Sequence, residues 1–244
     1  MVTGFAFNGT HFSYHVGNVG AGTASASTAG IYASSSVTSL GSLIGTISTG
    51  MLGAGASDTE TGTLTLSSNG APTTWYLGVS ADYNNKIAES NETNNASGKI
   101  AVVVGNTSGN SLSGTSGNDV IFGFGGNDTL TGGAGADQFV FNTAPRAGSV
   151  ATITDFSHAQ GDKIDLDQSI FKALATGAFG SPLAVSDFYA SSNGAAHAAG
   201  DHILYNTTTG ALSYDTDGTG AAAAVQIAVI LNHPTLQAND FLLV

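Results

Sequence analysis

GTSGNDVIF (Gly114–Phe122), GFGGNDTLT (Gly123–Thr131) and GGAGADQFV (Gly132–Val140) follow one another without a gap, and their alignment decides how the middle of this chain folds. Each unit of nine has Gly at position four (Gly117, Gly126, Gly135), Asp at position six (Asp119, Asp128, Asp137) and an apolar residue at position eight (Ile121, Leu130, Phe139). A degenerate unit, Gly105 to Ser113, precedes them, with Asn110 where Asp would fall and Leu112 at the apolar position. A flexible Gly/Asn/Asp linker would share this composition, but it has no reason to keep an apolar residue at every ninth position. The glycines permit backbone with φ > 0 and bring carbonyls close together.

The pattern resembles the G-G-x-G-x-D-x-U-x repeat of RTX proteins, and the resemblance implies a parallel β-roll that binds calcium. In that fold six residues turn and three form a strand, so the apolar residue of each strand enters a thin core. Successive turns lie on opposite edges, which puts Asp119 and Asp137 on the same edge, sharing one Ca²⁺. Calcium takes six to eight hard oxygens. The implied ligands are therefore the carboxylates of Asp119, Asp128 and Asp137, Asn110 in the degenerate unit, and backbone carbonyls at Thr115, Gly117, Phe124, Gly126, Gly133 and Gly135. Thr115 and Phe124 stand where the pattern has its second glycine, a departure that keeps the carbonyl and alters the turn.

Upstream, short alternating runs separated by Gly, Ser, Asn and Thr read as strands. Phe12, Tyr14 and Val16 alternate with Ser13, His15 and Gly17, and Trp75, Leu77 and Val79 with Tyr76, Gly78 and Ser80. Further strands are expected over 29–33, 43–48, 59–66 and 99–104, which suits an immunoglobulin-like sandwich. The stretch ADYNNKIAESNETNN (Ala81–Asn95) resembles the end of the CARDB domain, a bacterial cell-adhesion-related sandwich. Against that family, this chain is expected to begin almost at the strand Phe12–Val16, without the usual first strand. Asp82, Asn84 and Glu89 read either as cation ligands or as an Asn-rich turn.

Beyond the repeats, strands are expected over 150–155, 202–205, 211–214 and 223–231, with one short helix near Gln168 to Leu174. Ile153-Thr154-Asp155-Phe156, the run Gly161 to Leu166, Tyr214 to Gly220 and the ending Asn239 to Val244 together resemble the region after the β-roll in serralysin-type and related type I secretion substrates. That resemblance implies export through a type I system, and Asp155 and Asp162 as candidates to cap the last calcium layer. Asp215 and Asp217 read as turn carboxylates or as ion ligands in a D-x-D-G turn.

The whole reads as all-β. An N-terminal immunoglobulin-like β-sandwich (1–104) is followed by a calcium-binding parallel β-roll (105–142) and a β-rich C-terminal type I secretion target region (143–244). Seventeen acidic residues against five basic ones, a net charge of -12, exclude nucleic acid as a partner, since phosphate contacts need clustered Lys and Arg. With no cysteine there is neither a disulfide framework nor a thiolate metal site. No basic segment followed by an apolar run opens the chain, so a cleavable signal peptide is not expected. The most apolar stretch, Ala221 to Leu231, is interrupted by Gln226 and too short to span a bilayer. H-E-x-x-H and G-x-S-x-G are absent, and His11 and His15 lack a third zinc ligand, so no catalytic residue is expected. Two functions fit. One is a secreted, non-catalytic calcium-binding protein of surface adhesion or calcium-dependent self-assembly, alone or as a homo-oligomer. The other is the C-terminal export and stabilisation portion of a larger secreted hydrolase such as a serralysin-like protease.

Overall fold

A computed structural model gives the fold, describing residues 2–7, 11–36, 38, 41–64, 70–84, 87 and 95–244. The chain divides into two compact units, Met1–Leu66 with Thr74–Val102, and Ser67–Thr73 with Val103–Val244.

The first unit is a two-sheet antiparallel sandwich. Its strands are β1 (Val2–Phe7), β2 (His11–Gly17), β3 (Ser27–Ser34), β4 (Ser42–Thr49), β5 (Ser57–Thr63), β6 (Thr73–Ser80) and β7 (Ile100–Val104), on which the chain leaves the unit. One sheet runs β1-β2-β5, and the other contains the order β6-β3-β4. Alternation explains the layers: Phe12, Tyr14 and Val16 are buried while His11 and His15 on the same strand are exposed. On β6, Leu77 and Val79 are buried, but Trp75 is 39% exposed. The expectation that the chain begins at Phe12–Val16 is corrected by β1, which pairs antiparallel with β2 through Phe7↔Phe12 and Val2↔Val16. Its register shifts between Thr3 and Ala6, so Val2 to Phe7 lacks the period-two alternation by which a half-buried strand is read.

The second unit holds β8 (Ser111–Ser113), β9 (Asp119–Phe122), β10 (Thr129–Thr131), β11 (Gln138–Phe141), β12 (Ala151–Ile153), β13 (Lys163–Leu166), β14 (Ser181–Pro182), β15 (Phe188–Ser191), β16 (Ile203–Asn206), β17 (Ala211–Tyr214), β18 (Val225–Ile230) and β19 (Phe241–Leu243). Successive strands of the repeats fall in opposite sheets. β8, β10, β12 and β18 pair in parallel in one sheet, and β9, β11, β13 and β19 in the other. The nine-residue period thus winds the chain between two parallel sheets, and each strand meets the next-but-one.

The position-eight residues, continued by apolar residues of later strands, form two ladders in the core. Leu112, Leu130, Ile153 and Ile230 are in register on one side, and Ile121, Phe139, Ile164 and Phe241 on the other, none more than 3% exposed. The expected helix near Gln168 to Leu174 is corrected to turns: the amides of Ile170 and Phe171 both donate to the Asp167 carbonyl, at 2.9 Å each, and the segment stops. A single turn does not recover the cost of helix nucleation.

Leu130 sits in the middle of its ladder, so Leu130→Ala is expected to destabilise the protein by about 2–5 kcal/mol, a large part of a domain's margin. Thr129→Ala, at the exposed neighbouring position, is expected to change little. Denaturant unfolding of both variants checks this, and equal effects would contradict the placement of the ladder.

Candidate metal centre

The turns that join the strands stack along two edges, and the position-six residues form a ladder on each. On the first edge the Asp119 amide donates to Asp137 Oδ1 at 3.0 Å, and the Asp137 amide donates to Asp162 Oδ1 at 3.0 Å. On the second edge the Asn110 amide donates to Asp128 Oδ1 at 2.8 Å. One oxygen of Asp128, of Asp137 and of Asp162 is therefore spent on holding the turn 18 residues earlier, or 25 for the longer last turn. The other oxygen, Oδ2, lies against the first glycine of its own unit. A Cβ at Gly114, Gly123 or Gly132 would fall 2.5, 2.3 or 2.4 Å from it, which is why that position has no side chain.

Carbonyls crowd the same space. Gly133 (φ +100) and Gly135 (φ +117) lie so close under the preceding turn that a Cβ would be 2.2 Å from the Thr115 carbonyl oxygen or 2.5 Å from that of Gly117. Gly126 (φ +102) bears the same relation to Ser108 on the second edge. Phe124, the departure from glycine, adopts φ +62 and stacks on Phe122 with ring centroids 5.6 Å apart. Thr115, the other departure, is tied to Asp119: its amide and hydroxyl both donate to that carboxylate.

Asp155 and Asp162 close the first edge. The Asp155 carboxylate accepts the Gly132 and Gly133 amides at 2.9 Å each, and Asp162 Oδ2 accepts the Ser157 amide at 2.8 Å. On the second edge no acid continues the ladder, and the Ser149 hydroxyl takes the Gly126 amide at 2.9 Å. The position-five asparagines, which sequence reasoning passed over, staple neighbouring turns, Asn118 Oδ1 to the Ala136 amide and Asn127 Oδ1 to the Val150 amide. Their recurrence at Asn118 and Asn127 was the available signal.

The electrostatics of the first edge fit a hard cation. Asp119, Asp137 and Asp162 are all at most 1% exposed, and Asp137 Oδ2 has no hydrogen-bond partner. Burial, and then the charges of Asp162, Asp119 and Asp155, push the Asp137 carboxyl up to about 7. Burial likewise raises Asp128 to about 6, and raises Asp119 and Asp162. Among the described residues no three His, Cys, Asp or Glu side chains converge on one point, so an ion here would draw the rest of its oxygens from the carbonyls between the turns. Asp165, in β13, is a separate case. It is fully buried with both oxygens unpartnered, and burial pushes it up to about 8.

His11 and His15 lie on the exposed side of β2, and His15 Nδ1 pairs with the Thr59 hydroxyl. Asp82 (φ +45) accepts the Ile87 amide, Asn84 is exposed, and Glu89 lies outside the described residues. Asp215 Oδ1 accepts the Asp217 and Gly218 amides, a closed turn. His158 pairs with Asp240, and His197 with Asp201.

A carboxyl whose pKa rises on folding binds a proton that the unfolded chain does not hold. Its stabilising contribution is complete below about pH 4 and is lost as pH rises through the folded value. In chelator the melting temperature is therefore expected to fall as pH rises through about 6, 7 and 8, where Asp128, Asp137 and Asp165 titrate. Asp165→Asn should remove the last part of that fall, with or without calcium. Thermal melts across this range check it, and a melting temperature that rises with pH in chelator would contradict the assignment.

Comparison with known proteins places these units. Residues 4–99 match the CARDB family model, and residues 104–139 match the model of the RTX calcium-binding nonapeptide repeat, in four copies. Among solved structures the chain is similar to the CARDB domain of the PF1109 protein from Pyrococcus furiosus, crystallised in complex with di-metal ions. Identity is 22% and the TM-score 0.33, over 39% of this chain and 77% of that one. No curated protein matches. The chain carries a CARDB domain followed by RTX calcium-binding nonapeptide repeats.

Proposed function

We propose that this is a non-catalytic extracellular protein, exported by a type I system, whose repeats fold around calcium and whose role is surface adhesion or calcium-dependent assembly. The observation that carries the reading is the buried file of carboxylates Asp119, Asp137 and Asp162, with Asp155 beside it and Asp137 Oδ2 unpartnered. Like charges buried at this spacing repel unless protonated or neutralised, and a divalent cation neutralises them while accepting the carbonyls that the glycines bring near. In this reading Asp119, Asp137 and Asp162 bind on the first edge, with carbonyls of Thr115, Gly117, Gly133 and Gly135. Asp128 and Asn110 bind on the second, with carbonyls of Phe124 and Gly126. Asp155 orients the Gly132–Gly133 turn. Residues 143–244 serve as the secretion target region.

Linkage gives the reading its biological sense. At free calcium about 100 times the dissociation constant, one site adds roughly 2.7 kcal/mol to folding. A chain that meets little calcium inside the cell stays loose enough for export and folds outside. Both matched domains are of non-catalytic kinds, which supports a binding role.

Calorimetric titration of the full chain tests the ligands. Asp119→Ala with Asp137→Ala is expected to lose at least one calcium site and the associated gain in β-sheet circular dichroism, and unchanged stoichiometry and affinity would overturn the assignment. Export is tested by deleting residues 195–244 in a host carrying a matched exporter, where secretion should stop.

A further inference from the structure

β4 is an edge strand whose outer side pairs with nothing in the described structure. Edge strands are ordinarily blunted by charge, and β5, at the edge of the facing sheet, carries Asp58 and Glu60. β4, Ser42-Leu43-Ile44-Gly45-Thr46-Ile47-Ser48-Thr49, has no ionisable residue and no proline. Leu43 is 45% exposed and Ile44 41%. The ladder to β3 passes from Tyr32↔Leu43 to Ile31↔Gly45, so Ile44 is the extra residue of a bulge. Beyond the bulge, Gly45 to Thr49 is regular.

A cavity of about 230 Å³ opens beside the same strand, lined among others by Phe12, Ile31, Ile44, Ile47 and Leu64. Its lining has no charged group, so it suits the apolar side chains of a strand laid along β4. In such strand addition, main-chain hydrogen bonds give affinity and pockets select side chains.

The distribution of charge says which strand. Every Asp, Glu, Lys and Arg of the chain lies at or beyond Asp58, so the whole net charge of -12 is carried outside the first 57 residues. Two copies repel one another through most of their length, and like charges placed opposite across a strand pair are destabilising. Antiparallel pairing of β4 with a second β4 brings no charge to face another, whereas pairing through β5 sets carboxylates against carboxylates. A strongly acidic or basic partner would find no counter-charge on this edge. We infer that β4 is a self-association edge, on which a second copy of this chain docks its own β4 antiparallel, with apolar side chains entering the adjacent cavities. The inference rests on the assembly reading above but not on the calcium ligands.

Sedimentation of the full chain in calcium, from about 1 to about 100 μM, where weak protein contacts populate, tests it. The wild type is expected to dimerise with rising concentration. Thr46→Lys with Ser48→Lys, both at exposed positions, should weaken dimerisation by at least about tenfold, the cost of a gatekeeping charge on each copy. Thr61→Lys, on the β5 edge, should leave it intact. Should the double variant lose its β-sheet signal, Ser48→Lys alone near the strand end gives the same reading. A wild type monomeric at about 100 μM overturns the inference, as does a double variant that associates like the wild type. A monomer that takes up an apolar dye in the cavity also overturns it and assigns the cavity to small ligands. Calcium titration of the double variant, with stoichiometry unchanged, separates failure here from failure of the calcium reading.

Discussion

The second unit depends on one constraint, the burial of like-charged carboxylates at fixed spacing along an edge. Asp137 and Asp162 each receive a backbone amide from the neighbouring turn, and Asp119 receives that of Thr115 in its own turn; each gives up solvent to do so. Amides alone leave net negative charge in a poorly solvated file. The unpartnered Asp137 Oδ2 is where that deficit concentrates. Removal of the glycines at positions one, two or four would push the turns apart, and removal of the apolar ladders would release the strands that hold the turns at this spacing.

The two edges are not equivalent. The first continues through Asp162 and is flanked by Asp155, with Lys163 reaching the Asn239 carbonyl and His158 reaching Asp240 just past the last acid. The second begins with neutral Asn110, has one acid in Asp128, and then passes to the Ser149 hydroxyl. Charge is thus concentrated on one side of a thin core, while the sandwich ahead of it holds no Asp, Glu, Lys or Arg before Asp58.

How much of this was legible in the sequence follows from what a period can carry. Nine-residue spacing marked Ile121, Leu130 and Phe139 as one recurring apolar position, and the resemblance to the RTX repeat put them in a thin core and Asp119 on the same edge as Asp137. A count says nothing of which carboxylate oxygen meets an amide, and so the Oδ1 ladder was not visible. Ser149, and Gln160, whose side-chain oxygen accepts the Gly135 amide at 3.2 Å, were missed because the turns after Phe141 change length, and the partner is then set by three-dimensional stacking. β1 was missed because its bulge breaks alternation, and the expected helix near Gln168 fails because the segment closes a single turn on the Asp167 carbonyl and stops, which the residue types alone do not reveal.

The core ladders have a consequence for how the chain folds. The rungs Leu112–Leu130 and Ile121–Phe139 join residues close in sequence, whereas the final rungs, Ile153–Ile230 and Ile164–Phe241, reach across the whole of β14 to β17. Early rungs can form in order, each on the last, but the closing pair must wait for a long loop to be brought home at an entropic cost the local rungs do not bear. Closure of β18 and β19 is then the slow, committing event. Until it occurs, the sheet edges at β12 and β13 are open.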